Sequence, residues 1–285
     1  MLEHKYAFEA LGTPWVIETA NEIPALVKSR IGARIELFDA QYSRFRNDSL
    51  VTAISKKAGT YAFTEDAVKL FDFYKDLYRR TDGKVTPLIG DVLARAGYDA
   101  KYSFTRTPQK ELVALDEAME WNGSKVHTLQ PITLDVGAAG KGYLVDIIAA
   151  ILDGAGIDEY VIDASGDLRH TGASNNMVGL EHPLDPTKVI GSVQVQNKSL
   201  CASASNRRAW GEDMHHIFDP DTMAPTREVI ATWVIADEAM VADGLATALF
   251  FVDVAQLRDG YEFEYVRMFA DGAIDYSPHF EGELF

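Results

Sequence analysis

Cysteine is nearly missing from this chain: Cys201 is the only one in 285 residues. One thiol makes no intrachain disulfide and no thiolate metal cluster, so Cys201 is expected to be a small buried apolar residue. Long apolar runs are missing too. No stretch approaches 18 apolar residues, and the start, MLEHKYAFEALGTPWVIE, shows no basic segment leading into an apolar one and no lipidation box. As written, the sequence predicts a soluble cytoplasmic protein. Positive charge is the third shortage: Lys and Arg number 27 against 43 Asp and Glu, a formal net charge of −16. That sign disfavours nonspecific binding to nucleic acid or to an anionic membrane. A phosphate compound would need a local device to hold it: a metal ion, helix N-termini or a few chosen cations.

What is present is an ordinary globular composition, 47% hydrophobic and 25% charged, on a chain long enough for ample core. There is no repeat, no low-complexity segment and no Pro/Ser linker. The pattern predicts an α+β fold, a single mixed domain over residues 1–285 with helices early and an antiparallel sheet late. YAFEALGTPWVIET reads as two strands interrupted at Gly12-Thr13-Pro14. ALVKSRIGARIELFDAQYS has helical periodicity. A second helix is expected from about Thr64 as N-cap to a stop at Asp82-Gly83, with apolar residues at 67, 70, 71, 74, 77 and 78 on one face. A third begins near Lys141 and ends at Gly154 or Gly156. Strands follow, with a hairpin around Asp271-Gly272 near the end.

LDVGAAGKGYLVD, residues 134–146, sets small residues around Lys141, a feature that suits close backbone approach or a phosphate at a helix N-terminus. Neither familiar phosphate loop fits. Asp135 stands where a P-loop needs its first Gly and Gly142 where it needs Ser or Thr, and the glycines are wrongly spaced for a dinucleotide fingerprint. A tight strand-to-helix turn with a solvated lysine is the competing reading. Asp243 and Thr247 in VADGLATALFF are spaced i, i+4 on an expected helix, two hard oxygens on one face that suit Mg²⁺. The alternative is a helix-terminal acid with a back-bonded Thr. In MHHIFDPDTMAP the adjacent His215 and His216 diverge, so one is expected to be structural and the other to face a cleft. Ser165-Gly166-Asp167 is a tight turn between strands.

The order of these motifs says more than any one of them. LGT, YSRFRNDS, DGKVTP, LDVGAAGKGYLVD, ASGD, a Ser/Ala-rich strand, HHIFDPDTMAP and AD-x-LATALF, in that order from Leu11 to Phe251, resemble the ApbE family, the FAD:protein FMN transferases. The resemblance implies a mixed α+β domain with a T-fold-like part. It implies that Leu11, Phe45, Lys84, Val85, Thr86, Asp135, Lys141 and Phe218 line the FAD site. It also implies that the Ala138 carbonyl, Asp243 and Thr247 hold Mg²⁺, and that His216 and Asp243 serve catalysis. The family usually has Asp where Thr86 stands, Thr-Ser where Ser203-Ala204 stand, Gly where Met223 stands, and Gly-Gly-Asp in place of Ser165-Gly166-Asp167 with its preceding Ala164.

The implied reaction is Mg²⁺-dependent transfer of FMN from FAD to a Ser or Thr hydroxyl of an acceptor protein, with release of AMP. The implied partner is a flavoprotein acceptor carrying an Asp-x-x-[Ser/Thr]-Gly-Ala-[Ser/Thr] type motif. Two alternatives stay open: a Mg²⁺-dependent FAD pyrophosphatase giving FMN and AMP, and a non-catalytic flavin-binding protein.

Overall fold

The computed structural model describes residues 2–211 and 213–285. The chain opens with strands β1 (His4–Ala10) and β2 (Thr13–Thr19) and helix α1 (Ala25–Tyr42). Then come α2 (Leu50–Lys56), β3 (Gly59–Ala62), α3 (Ala67–Arg80), a 3-10 turn at Pro87–Ile89 and α4 (Gly90–Arg95). Helix α5 (Leu115–Ala118) and strands β4 (Met119–Asn122) and β5 (Lys125–Thr128) precede α6 (Gly140–Asp153). Strands dominate next: β6 (Tyr160–Asp163), β7 (Asp167–Thr171), β8 (Met177–Glu181), β9 (Val189–Gln194), β10 (Ser199–Ala204), β11 (Phe218–Asp219) and β12 (Ala224–Pro225). The chain ends with β13 (Val229–Ala236), α7 (Ala239–Ala248), α8 (Val254–Arg258), β14 (Glu264–Phe269), β15 (Ile274–Tyr276) and β16 (Gly282–Leu284). This is a mixed α+β protein built on antiparallel sheets.

Two compact units form. The first comprises Met1–Ile35, Ala139–Arg207 and Arg227–Phe285; the second comprises Glu36–Ala138 and Arg208–Thr226. In the first, eight strands order as β1-β2-β6-β7-β10-β13-β14-β15, with every neighbouring pair antiparallel. The central strand β13, VIATWVIA, is apolar on both faces because both are covered. Ala231, Trp233 and Ile235 pack with Leu180, Ile190 and Val193 of the smaller sheet β16-β9-β8. Thr232, on the other face, is fully buried and its Oγ1 donates to Ala246 O of α7 at 2.7 Å. Period-two alternation thus sends neighbouring residues to two different layers. Cys201 is the buried apolar residue expected, its Sγ 3.4 Å from Ala239 O.

In the second unit α3 is amphipathic, burying Ala67, Leu70, Phe71, Phe73, Tyr74 and Leu77, and the sheet β3-β5-β4 carries Trp121 stacked on Phe71. The expected stop at Asp82-Gly83 is present. Both have positive φ, 49° and 84°, and Gly83 N donates to Tyr78 O as the helix closes. The expected start shifts inward. Thr64 is held by Gln41, and α3 begins at Ala67 after Asp66, because a side-chain pairing 23 residues away outcompetes local capping.

The first turn also differs from the sequence reading. Ala10 pairs with Thr13, so the hairpin turns on Leu11-Gly12, with φ 51° and 72°, while Thr13 and Pro14 continue into β2. Positive φ at both loop residues is the type I′ pattern, which favours Asn-Gly; Leu at the first position is strained. We expect Leu11→Asn to stabilise the protein by about 1 kcal/mol, read by urea denaturation, and to weaken FAD binding if Leu11 lines the nucleotide. A loss of stability would show that this turn is not strained.

Candidate functional site

The expected site residues divide between the units. Leu11, Lys141, Asp243 and Thr247 belong to the first; Phe45, Lys84, Val85, Thr86, Asp135, Ala138, His216 and Phe218 belong to the second.

In the first unit, Gly142 is the third residue of α6, and its N–H donates to Asp243 Oδ2 at 2.9 Å. The anion at this helix N-terminus is therefore the chain's own carboxylate, supplied from α7 and only 5% exposed. The contact requires glycine. A Cβ on residue 142 would press on the Ala239 carbonyl oxygen, 2.6 Å from its carbon and 2.8 Å from Asp243 Cβ. Helix α7 is served in return. Asp146 of α6 accepts the N–H groups of Ala239 at 3.0 Å and Met240 at 2.9 Å, while Arg169 pairs with it at 2.9 Å. Burial pushes the Asp146 carboxyl up, and those two N–H groups and Arg169 only partly oppose it. Neither helix is capped by a side chain of its own N-cap residue, Ala139 or Glu238. Each is capped by the other.

Lys141 is drawn into the fold of the same unit. Its Nζ donates to Ala164 O at 3.0 Å and Ser165 O at 3.1 Å, and lies 3.3 Å from Asp167 Oδ2. It ties α6 to the turn after β6, where Ser165 and Gly166 have φ of 56° and 104°. Thr247 stands one turn beyond Asp243 on α7, partly exposed. Among the described residues no three His, Cys, Asp or Glu side chains gather for a metal ion. An ion on Asp243 would therefore rely on hydroxyl, carbonyl and phosphate oxygens, a donor set that fits Mg²⁺.

In the second unit, Lys84 Nζ lies 2.7 Å from both Asp219 and Asp221. Burial raises the Asp219 carboxyl, but Lys84 and the Asp221 N–H outweigh it and hold it below the usual range. Val85 is buried, Thr86 Oγ1 accepts Leu88 N–H at 3.2 Å, and Pro87 O accepts Asp135 N–H at 2.8 Å. The two histidines differ in surroundings: His215 is buried between Thr226 O and Ile217 N–H, at 2.8 and 3.2 Å, whereas His216 is partly exposed. Phe218 stacks with Trp210, and Phe45 packs against the same aromatic cluster. Met223, where the family usually has Gly, adopts φ 51°.

Sequence reading missed Arg44. Its Nε meets Asp135 Oδ2 at 2.5 Å and its Nη1 donates to Tyr98 O at 2.7 Å, with the two charged side chains 5% and 14% exposed. Arg44 adjoins Phe45 in YSRFRNDS, but nothing local announces a partner 91 residues away. Burial would raise the Asp135 carboxyl; Arg44, the Gly137 N–H at 2.7 Å and Arg208 more than offset it and hold it low. Removing one partner of a buried pair costs about 3–5 kcal/mol. With a folded value below the unfolded one, this stabilisation is complete above the ordinary carboxylate range and is lost as pH falls through the folded value. Asp135→Asn should therefore be less stable than wild type at pH 7, the two converging below about pH 4. A gap unchanged from pH 7 to pH 3 in chemical denaturation would contradict this.

Comparison with known proteins agrees with the motif order. The fold matches the crystal structure of the ApbE protein of Thermotoga maritima with a TM-score of 0.85 and 23% identity, over 98% of this chain and 99% of that one. It matches the apo flavinyl transferase ApbE of Pseudomonas stutzeri at 0.81 and 20%, over 96% and 94%. A FAD:protein FMN transferase of Klebsiella pneumoniae is 23% identical over 85% of this chain and 76% of its own length. One from Rhodobacter capsulatus is 26% identical over 85% of this chain, which spans half of that protein. The family pattern described as the ApbE family matches residues 11–266. The chain belongs to the ApbE family.

Proposed function

We propose that this protein is a flavin transferase that moves FMN from FAD to a Ser or Thr hydroxyl of an acceptor protein and releases AMP. The names of its relatives support flavin transfer. The structural observation that carries the finer reading concerns charge. The two cations at the expected nucleotide positions are matched by the chain's own carboxylates, Lys84 by Asp219 and Asp221 and Lys141 by Asp167, and the expected Asp135 is itself taken up by Arg44. A diphosphate arriving at a protein of net charge −16 therefore needs an added cation.

Asp243 and Thr247, with the Ala138 carbonyl as the family resemblance implies, would hold Mg²⁺. The ion would supply charge neutralisation for the diphosphate. The acceptor hydroxyl oxygen forms the new bond to the FMN phosphorus, the P–O bond to the AMP moiety breaks, and AMP leaves with the bridging oxygen. His216, partly exposed and two residues before Phe218, would take the hydroxyl proton. The rest of the chain's work is positioning.

Purified protein incubated with FAD and Mg²⁺, with and without a peptide carrying the Asp-x-x-Thr-Gly-Ala-Thr motif, tests this reading. AMP released only with peptide, and FMN covalently on it, is the expected result. AMP without peptide means a pyrophosphatase, and intact retained FAD means a binder. His216→Gln is expected to keep FAD affinity while transfer falls roughly 10²–10⁴-fold and the acid limb of the pH–rate profile flattens. Unchanged transfer would remove His216 from the chemistry.

A further inference from the structure

The Arg44 guanidinium carries one nitrogen that no hydrogen bond engages among the described residues. Nε and Nη1 are engaged by Asp135 and Tyr98 O, but Nη2 is buried with no hydrogen-bond partner among the described residues. Leaving a charged donor buried and unmade is costly, and such groups call for an explanation. The surroundings supply one. Arg44 Cζ lies 4.3 Å from the centroid of Phe45 and 4.9 Å from that of Tyr98. Tyr98 stacks on Trp210 at 5.4 Å and 14°, so the guanidinium is set into a layer of aromatic rings.

We propose that Arg44 is a specificity residue for the flavin end of FAD, donating from Nη2 to a carbonyl of a ring stacked on Phe45. The inference rests on the flavin reading above and deepens it. Three considerations select this ligand group. Asp135 pairs with Arg44, so the pair itself is neutral and Nη2 can offer a neutral carbonyl a strong hydrogen bond. Stacking on Phe45 requires a planar ring. Of the two rings in FAD, the isoalloxazine has carbonyls at C2 and C4 and adenine has none. Tyr102 occupies the stacking place in this structure, nearly parallel to Phe45 at 5.3 Å and 5°. It is half exposed and its φ is 50°, a strained residue suited to give way to a ligand ring.

The test compares FAD with 2-thio-FAD and 4-thio-FAD, in which a poorly accepting sulfur replaces one ring carbonyl oxygen. Wild type is expected to bind one of the two analogues roughly 10–100-fold more weakly than FAD, the value of one charge-assisted hydrogen bond. Arg44→Lys keeps a cation for Asp135 but lacks Nη2. It should bind FAD more weakly by a similar factor and lose the discrimination, with its fold checked by circular dichroism. A residue that only supports the fold would not change the ratio between analogues. Tyr102→Ala should bind FAD no more weakly than wild type. Equal wild-type affinity for all three flavins overturns the inference even if Arg44→Lys does not fold, as does discrimination retained in Arg44→Lys. Failure of wild type to bind FAD at all is a distinct result that removes the flavin reading and this inference together.

Discussion

Gly142→Ala is expected to destabilise the protein by about 3 kcal/mol, the upper end of overpacking costs. The sign is what makes the experiment decisive. In an open helix interior, Gly→Ala gains about 1 kcal/mol because Ala loses less backbone entropy. Gly32 in α1 has that open environment, with nothing within 4 Å of an added Cβ, so Gly32→Ala should stabilise. At Gly142 the added Cβ meets a backbone carbonyl, which cannot swing aside as a side-chain tip would. Parting α6 from α7 to make room would also stretch the Gly142–Asp243 and Asp146–Met240 hydrogen bonds. Thermal melts of the two variants should move in opposite directions. A Gly142→Ala protein as stable as wild type would mean that the helices do not touch there.

Asp243→Asn should leave the fold standing and cut metal-dependent transfer steeply at ordinary Mg²⁺. The Asn amide oxygen can still accept the Gly142 N–H, so the cap on α6 survives, weakened by the loss of charge. What disappears is the anionic oxygen that a hard cation prefers. If the ion contributes several kcal/mol to the transition state, activity at ordinary Mg²⁺ falls by roughly 10²–10³-fold or more. Partial rescue at high Mg²⁺ is the expected accompaniment. Thr247→Ala, which removes a neutral ligand, should be milder. Wild-type turnover in Asp243→Asn would sink the metal assignment.

Elements written in local pattern were legible in the sequence. The apolar face of α3, the start of α6 and the Asp271-Gly272 hairpin all follow from periodicity and turn residues within about 15 positions, and they stand in the structure, except that α3 buries Phe73 as well and leaves the expected Tyr78 only partly covered. The order of short motifs carried the family. The pairings were not legible. Arg44 meets Asp135 across 91 residues, Gly142 meets Asp243 across 101, and Lys84 meets Asp219 across 135. Such partners share no periodicity, because the fold alone brings them together. Lys141 shows the same limit from the other side: the small residues around it suggested a ligand, while its nearest acceptors are two carbonyls of a turn more than 20 residues on.

The strand order also sets a timetable for synthesis. Strand β2 is paired on one side with β1, its hairpin neighbour, but its other neighbour is β6, joined through Val16↔Asp163 and Thr19↔Tyr160. Almost the whole second unit is translated between the two. At roughly 5–20 residues per second, β2 waits on the order of 10–30 seconds with a bare edge and with Trp15 and Ile17, both fully buried in the finished protein, uncovered. An early hairpin of this kind is open to mispairing with other chains. Ribosome-bound chains stalled before residue 160 should therefore bind holdase chaperones through the first 20 residues, and chains long enough to display β6 and β7 should release them.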